Sequence, residues 1–441
     1  MHYSRRRFLQ HSAALVAGAG AAAVLPASLL ARRRAVAPSD RVRVGLVGCN
    51  GMGWANLTSL LKLPDVEAVA LCDVDRNVLD RRSAELEKLV GQKPAGYADF
   101  RRMLEDQTID AVVVATPDHW HPLITITACQ AGKDVYVEKP LANSIEECDA
   151  MVAAARRYDR VVQVGQWQRS GPHWDSAMAF VQSGALGDIR TVKAWAYQGW
   201  MKNVPPVPDE PVPAGVDYDM WLGPAPARPF NRNRFHFNFR WYWDYAGGLM
   251  TDWGVHLIDM ALYGMQATAP KSVLSLGGNF AYPGSAMETP DTQQALYEYD
   301  GFSMIWEHAV GINNGPYGRD HGVAFIGNDG TLVVDRGKWE VIPEHEDGRA
   351  KMEPVAGEAA SGRDLDLHTA DFVACMKSRE TPKCPPEIGR LAAVNAHLGN
   401  VAFKTGRRVY WDEQTNRFTG DDEANALVKS RYRAPWVLPT V

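Results

Sequence analysis

A chain of 441 residues, 46% hydrophobic and 22% charged, has the length of two or three domains and the composition of a globular protein with a sizeable core. Its net charge of −5, without a lysine or arginine stripe beyond the N-terminal segment, argues against a nucleic-acid partner. None of the six cysteines forms a C-x-x-C pair, and Cys49, Cys72 and Cys129 fall within apolar segments. They read as buried thiols rather than a disulfide or zinc framework.

At the N-terminus, Ser4-Arg5-Arg6-Arg7-Phe8-Leu9 precedes an apolar, alanine-rich run from Ala13 to Leu30. A basic start, paired arginines and a modest hydrophobic segment resemble a twin-arginine export signal. Residues 1–37 are therefore set apart from the fold, and an exported, periplasmic protein is expected. Gly18, Gly20 and Pro26 interrupt the run, which speaks against stable membrane insertion after processing. Arg32, Arg33 and Arg34 leave a retained anchor as the alternative, and Ala27, Ala31 and Ala37 all compete as cleavage points.

From Arg41, short apolar strands alternate with amphipathic helices. Strands are expected at Val42–Val47, Glu67–Cys72, Asp110–Ala115, Asp134–Val137 and Val161–Val164. Helices fall between them at Gly51–Lys62, Val78–Val90, Pro122–Ala131 and Ile145–Arg157. Continuous Val/Ile/Leu/Ala strands between helices mean a parallel sheet covered on both faces, a doubly wound α/β domain over residues 41–165. After Gly165 the pattern changes. A helix at His173–Gln182 and a strand at Ile189–Tyr197 precede an irregular aromatic stretch, Gln198–Gly248. A helix at Thr251–Tyr263 then leads to strands at Ser272–Leu276, Thr292–Tyr299, Phe302–Ala309, Val323–Ile326 and Thr331–Asp335. Short turns such as Asp300-Gly301 predict an antiparallel sheet. Helices at Leu365–Lys377 and Glu387–Lys404 complete a second domain over residues 166–411, with 412–441 as a tail.

Gly45-Leu46-Val47-Gly48-Cys49-Asn50-Gly51-Met52-Gly53 closes the first strand and opens the first helix, whose free N–H groups suit a pyrophosphate. Asn50 stands where a second glycine would be, and asparagine tolerates a left-handed backbone. Gly48, Asn50, Gly51 and Met52 are thus candidate cofactor contacts. About twenty residues on, Asp73 ends the second strand, where a carboxylate binds ribose hydroxyls and disfavours a 2′-phosphate. NAD is preferred on that ground, with Arg76 close enough to keep NADP open. Asp73 could instead only cap the next helix.

Glu138-Lys139-Pro140 follows a strand at the carboxyl edge of the sheet. Lys139 could bond a substrate hydroxyl, or simply pair with Glu138. In Asp252-Trp253-Gly254-Val255-His256-Leu257-Ile258-Asp259, positions 252, 256 and 259 share a helical face, which suits a histidine general base. A metal is not expected, since no further ligand stands nearby at ligand spacing.

The glycine loop, Thr116-Pro117-Asp118-His119-Trp120-His121, Glu138-Lys139-Pro140 and Asp252-x-x-x-His256 occur in order. Together they resemble the Gfo/Idh/MocA family over about Arg41 to Trp411. The resemblance implies a Rossmann domain followed by an α+β domain with a large open antiparallel sheet, used for homo-oligomer contacts. It implies an NAD(P)-dependent oxidoreductase acting on a sugar, cyclitol or related polyol. Lys139 and His256 would contact the reacting hydroxyl, with His256 as proton acceptor and Asp252 orienting it. Thr116, Pro117 and His121 would lie along the nicotinamide ribose, and Glu138 would help to hold the cofactor. In Gly165-Gln166-Trp167-Gln168-Arg169, Arg169 keeps the family's final arginine, whereas Trp167 and Gln168 depart from it. Arg169, Trp167, Tyr197 and Trp243 join Asp252 and His256 as candidate substrate contacts.

The aromatic stretch Phe235–Tyr245, with Arg232, Arg234 and Arg240, could face a sugar or merely pack on itself. An exported dehydrogenase raises the question of free NAD, which a tightly retained cofactor answers. The competing reading is a glycoside-cleaving enzyme that oxidises its substrate transiently with bound NAD. A sugar sensor without turnover is the remaining option.

Overall fold

Hydrophobic strands that must be covered on both faces set the architecture of the first half. The computed structural model describes residues 40–441, so the export signal expected over residues 1–37 lies outside the described residues. β1 (Val42–Val47), β2 (Val66–Cys72), β3 (Ala95–Tyr97), β4 (Ala111–Val114), β5 (Asp134–Val137) and β6 (Val162–Val164) form one sheet in the order β3-β2-β1-β4-β5-β6. All its pairings are parallel. Every residue of β4 and β5 is buried, as coverage by helices on both faces demands. The strand order reverses between β1 and β4, and a crevice opens there at the carboxyl edge. β3 escapes the sequence pattern because Ala-Gly-Tyr is too short to show a period.

The second half holds β7 (Ile189–Gln198), β8 (Ser272–Gly278), β9 (Thr292–Glu298), β10 (Ser303–Val310), β11 (His321–Gly327), β12 (Gly330–Val334) and β13 (Trp339–Pro343). A small hairpin, β14 (His345–Glu346) with β15 (Arg349–Ala350), stands apart. β16 (Val409–Asp412) and β17 (Arg417–Phe418) complete a nine-stranded sheet ordered β13-β12-β11-β7-β10-β9-β8-β16-β17. The sheet is antiparallel except that β7 and β10 run parallel. The long excursion between them permits this, since parallel neighbours need a crossover. Helices Pro172–Gln182, Gly254–Met265 and Pro386–Thr405 cover one face and share its core. On β8 and β9 the other face leaves Leu274, Leu276 and Leu296 exposed at alternate positions.

The helix carrying Asp252 and the C-terminal tail both differ from expectation. The helix expected at Thr251–Tyr263 is two helices, Gly248–Asp252 and Gly254–Met265, broken at Trp253. The Asp252 carbonyl accepts a hydrogen bond from Lys139 Nζ at 3.0 Å, and the His256 amide bonds Trp253 instead. The tail does not stand apart from the fold: Tyr432, Trp436, Leu438 and Val441 pack against the core of the parallel-sheet half. Trp436 meets Trp120 edge-on at 4.9 Å, and the Tyr432 hydroxyl donates to the buried Glu147 carboxylate at 2.8 Å. All six cysteines are buried thiols. Among the described residues no helix is long and apolar enough to cross a membrane.

Candidate functional site

The loops after β1, β2, β4 and β5 converge on a cavity of about 410 Å³. Gly48, Asn50, Gly51, Met52, Asp73, Thr116, Pro117, Glu138, Lys139 and Asp252 line it. Gly48 has φ +86°, and a Cβ there would come within 2.5 Å of the Ala115 carbonyl oxygen. Gly51 is also left-handed, at φ +47°. Asn50, by contrast, is extended at φ −93°, so its tolerance of a left-handed backbone is not needed. Its side chain does not cap the helix; Asn50 Oδ1 accepts a bond from Arg81 Nη2 at 2.8 Å. The Gly51 and Met52 amides therefore keep their donors for an anion, while those of Gly53 and Trp54 turn to the Asn50 carbonyl, and the first turn carries no acidic residue.

Asp73 closes the other end of that cradle. Its Oδ2 accepts the Cys49 amide at 2.9 Å and its Oδ1 the Asp75 amide at 3.0 Å. Burial pushes its carboxyl up, while those backbone bonds pull it down. Both oxygens retain a lone pair for ribose hydroxyls. The glycine cradle, the uncapped amides and this carboxylate fit a dinucleotide. Arg76 is turned to the surface and pairs with Asp80 at 3.5 Å, outside the cavity lining. Asp73→Ser should therefore narrow the preference for NAD over NADP at least about tenfold. The following helix is capped by Asp75 rather than Asp73; equilibrium titration of each nucleotide reads the prediction, and an unchanged ratio would leave Asp73 only its bonds to the Cys49 and Asp75 amides.

At the far end of the cavity, Lys139 Nζ donates to Asp252 Oδ1 at 2.6 Å. Arg240 Nη1 bonds the second oxygen of the same carboxylate. Burial alone would raise the Asp252 carboxyl; the Arg240 and Lys139 cations instead hold it well below the usual carboxylate range. Asp252 thus bonds the lysine and arginine, not His256. His256 is buried, and its Nδ1 has no protein hydrogen-bond partner. Burial first, then the Arg336 and Lys139 charges, push its imidazole well below the ordinary value and keep it neutral. The His256 ring lies 5.9 Å from Trp167 and 6.5 Å from Trp253.

Glu138 accepts Asn56 Nδ2 at 2.8 Å and is raised by burial. Thr116 Oγ1 is buried without a protein partner. His121 stands behind the cavity, with Nδ1 2.8 Å from the Pro140 carbonyl and Nε2 3.0 Å from that of Thr116. Burial lowers it to about 4, and a neutral ring, with one N–H, donates to one of these two carbonyls at a time. Arg169 is engaged elsewhere, gripping buried Asp259 with two bonds of 2.7 and 2.8 Å. Tyr197 bonds Glu307 on the neighbouring strand β10, and Trp243 bonds the Glu288 carbonyl beneath Lys404. Neither lines the cavity.

The aromatic stretch, which the sequence allows either to face a ligand or to pack on itself, does both with different residues. The aromatic stretch builds its own core around Tyr218, Trp221, Phe230, Phe235, Trp241 and Tyr245. From it Phe235, His236, Phe237, Phe239 and Arg240 reach into the cavity lining. His236 Nε2 lies 3.0 Å from Asp75 Oδ2, and Asp217 and Arg76 exchange backbone bonds with Val74 and Gly215. The stretch is thereby latched across the end of β2. No local signal in the sequence announces those pairings.

Comparison with known proteins places these features. Residues 42–166 match the NAD-binding Rossmann fold of an oxidoreductase family, and residues 180–438 match that family's C-terminal alpha/beta domain. Among curated relatives, Glycosyl hydrolase family 109 protein 1 of Shewanella sp. (strain ANA-3) is 30% identical over 204 residues, 42% of this chain and 44% of that protein. An alpha-N-acetylgalactosaminidase of Shewanella oneidensis is 29% identical over 201 residues, with the same coverage. The matches thus span less than half the length of those relatives. Among solved structures, levoglucosan dehydrogenase in complex with NADH and levoglucosan superposes with a TM-score of 0.64 at 19% identity. It covers 84% of this chain and 99% of its own. Aldose-aldose oxidoreductase from Caulobacter crescentus, complexed with glycerol, gives 0.64, 19%, 84% and 99%. With both domains matched in order and a dinucleotide cradle in place, the chain belongs to the Gfo/Idh/MocA oxidoreductase family.

Proposed function

We propose that this protein is an NAD-dependent dehydrogenase or reductase acting on a hydroxyl or carbonyl of a sugar, cyclitol or related polyol. The observation that carries the reading is a lysine ammonium at the end of the dinucleotide cleft, held by Asp252, with a neutral histidine nearby. When bound, the nicotinamide supplies the hydride acceptor or donor. Lys139 binds the substrate hydroxyl oxygen and stabilises the charge that develops on it. His256 accepts the hydroxyl proton at a ring nitrogen that no protein group occupies. Asp252 and Arg240 hold the lysine in place. The solved neighbours named for levoglucosan and aldoses support a carbohydrate substrate.

The second reading is cleavage of a glycoside through transient oxidation, favoured by the curated relatives named as glycosidases. The two differ in their products. A dehydrogenase accumulates NADH from a free sugar or polyol; the glycosidase releases sugar from a glycoside with no net NADH. Export by the twin-arginine route is part of the proposal and requires a retained cofactor, which the latched aromatic roof would favour. Denaturing the purified protein should then release close to one NAD(H) per chain. A protein that is empty yet binds added NAD would overturn retention, and one that binds neither nucleotide would overturn the function. Pairing through the exposed leucine face of β8 and β9 would make a homo-oligomer, and a monomeric sedimentation coefficient would refute it.

A further inference from the structure

Arg336 lies in the turn between β12 and β13, far from the dinucleotide cradle in sequence. Its guanidinium carbon sits 4.4 Å from the ring centroids of both Trp167 and Trp253. Those are the two indoles that also contact His256. Other enclosed arginines nearby hold carboxylates: Arg169 has Asp259, Arg240 has Asp252, and Arg319 has Asp335 and Glu340. Among the described residues Arg336 has none within 4 Å, and its side-chain hydrogen bond is from Nε to Gln168 Oε1 at 3.2 Å. Burial without a close counter-ion lowers it to about 10. A half-buried cation stacked on two rings, whose Nη groups make no hydrogen bond to the described residues, is a receptor for a planar anion.

A second observation points to the same place. Gln168 Nε2, His173 Nδ1, His256 Nδ1, His321 Nε2 and Asp364 Oδ1 are all buried without a protein hydrogen-bond partner. Gln168 bonds Arg336 itself, and His173 lies 3.1 Å from the carbonyl of the adjoining Asp335. His321 packs on Trp253 at 5.1 Å. Asp364 stands beyond ion-pair distance but within electrostatic reach of the guanidinium. Such a gathering of donors and acceptors without protein partners is costly unless water or a ligand answers them. It suits a molecule bearing several hydroxyls beside one negative group.

We propose that Arg336, stacked on Trp167 and Trp253 beside His256, binds the carboxylate of an acidic sugar, a uronate or related sugar acid. This rests on the sugar-oxidoreductase reading and narrows its substrate class. The carboxylate anchors one end of the sugar, the indoles take its C–H face, and the anchored pose selects which hydroxyl reaches Lys139.

The test is calorimetric titration of the NAD-loaded protein with D-glucuronate and D-galacturonate, their neutral partners D-glucose and D-galactose, methyl D-glucuronate ester and glucose 6-phosphate. At least one uronate should bind ten or more times more tightly than its hexose, with the ester falling back towards the hexose. In Arg336→Gln the gap should shrink at least fivefold, with NAD affinity reporting that the fold survives. The wild-type acid, ester and hexose comparison stands even if that variant does not fold. Hexoses binding as tightly as uronates, no binding of either uronate, tighter binding of the phosphate, or a preference that persists in Arg336→Gln would each overturn the inference. Neutral polyols turned over while uronates are ignored would overturn it and leave the dehydrogenase reading intact; failure to bind NAD would overturn that reading itself.

Discussion

Lys139→Ala should lower turnover at least about a hundredfold, the lower end of what a positioned acid–base group contributes. A hundredfold corresponds to about 2.7 kcal/mol of transition-state stabilisation. The ammonium is one of two cations bonded to Asp252 within the cavity lining, at 2.6 Å from its carboxylate and 3.0 Å from its carbonyl, the other being Arg240. Alanine leaves a developing alkoxide without that charge. Asp252 would still be held by Arg240, so the site should not collapse. Steady-state rates on the best substrate, beside nucleotide affinity and melting temperature, separate chemistry from folding. A variant keeping more than about a tenth of its turnover while binding NAD normally would remove Lys139 from the mechanism.

His256→Ala should cost at least about as much, because the proposed proton acceptor is lost. The pH profile provides an independent reading. Burial, then Arg336 and Lys139, depress the imidazole well below its ordinary 6.5. A depressed value keeps the neutral, proton-accepting form populated as pH falls through and below the usual histidine range. The acid limb of kcat/KM for oxidation should therefore lie below about pH 6.5. Arg336→Gln removes a nearby cation, so His256 should rise and the limb should move towards neutrality. An acid limb at or above the ordinary histidine value in the wild type would contradict the neutral buried base.

Much of the first domain was legible from local pattern. Four-residue apolar runs such as Ala111–Val114 with their flanking helices state a two-sided parallel sheet, and the helix at Ile145–Arg157 carries its own Ser144 cap. The nucleotide cradle was equally local, since Gly48, Gly51 and Asp73 sit at strand ends whose position follows from that pattern. The site beyond the cradle was legible in its members and not in its partnerships. Helical spacing placed Asp252 beside His256, whereas the chain breaks at Trp253 and Asp252 turns to Lys139, 113 residues away. Arg169 carried the family's substrate-site expectation, yet its charge is committed to Asp259.

By itself the sequence determined the parallel-sheet domain, the dinucleotide loop and the family, and it put Lys139 and His256 forward as candidates, because each rests on short-range periodicity or on an ordered set of motifs. Tertiary structure alone decided which charges neutralise one another, how the aromatic stretch roofs the cofactor cleft, and that Arg336 stands between two indoles without a close carboxylate. Those outcomes depend on distances between residues tens to hundreds of positions apart. A charged side chain buried among such distant neighbours takes whichever partner the packing brings within about 4 Å, and no local pattern encodes that choice.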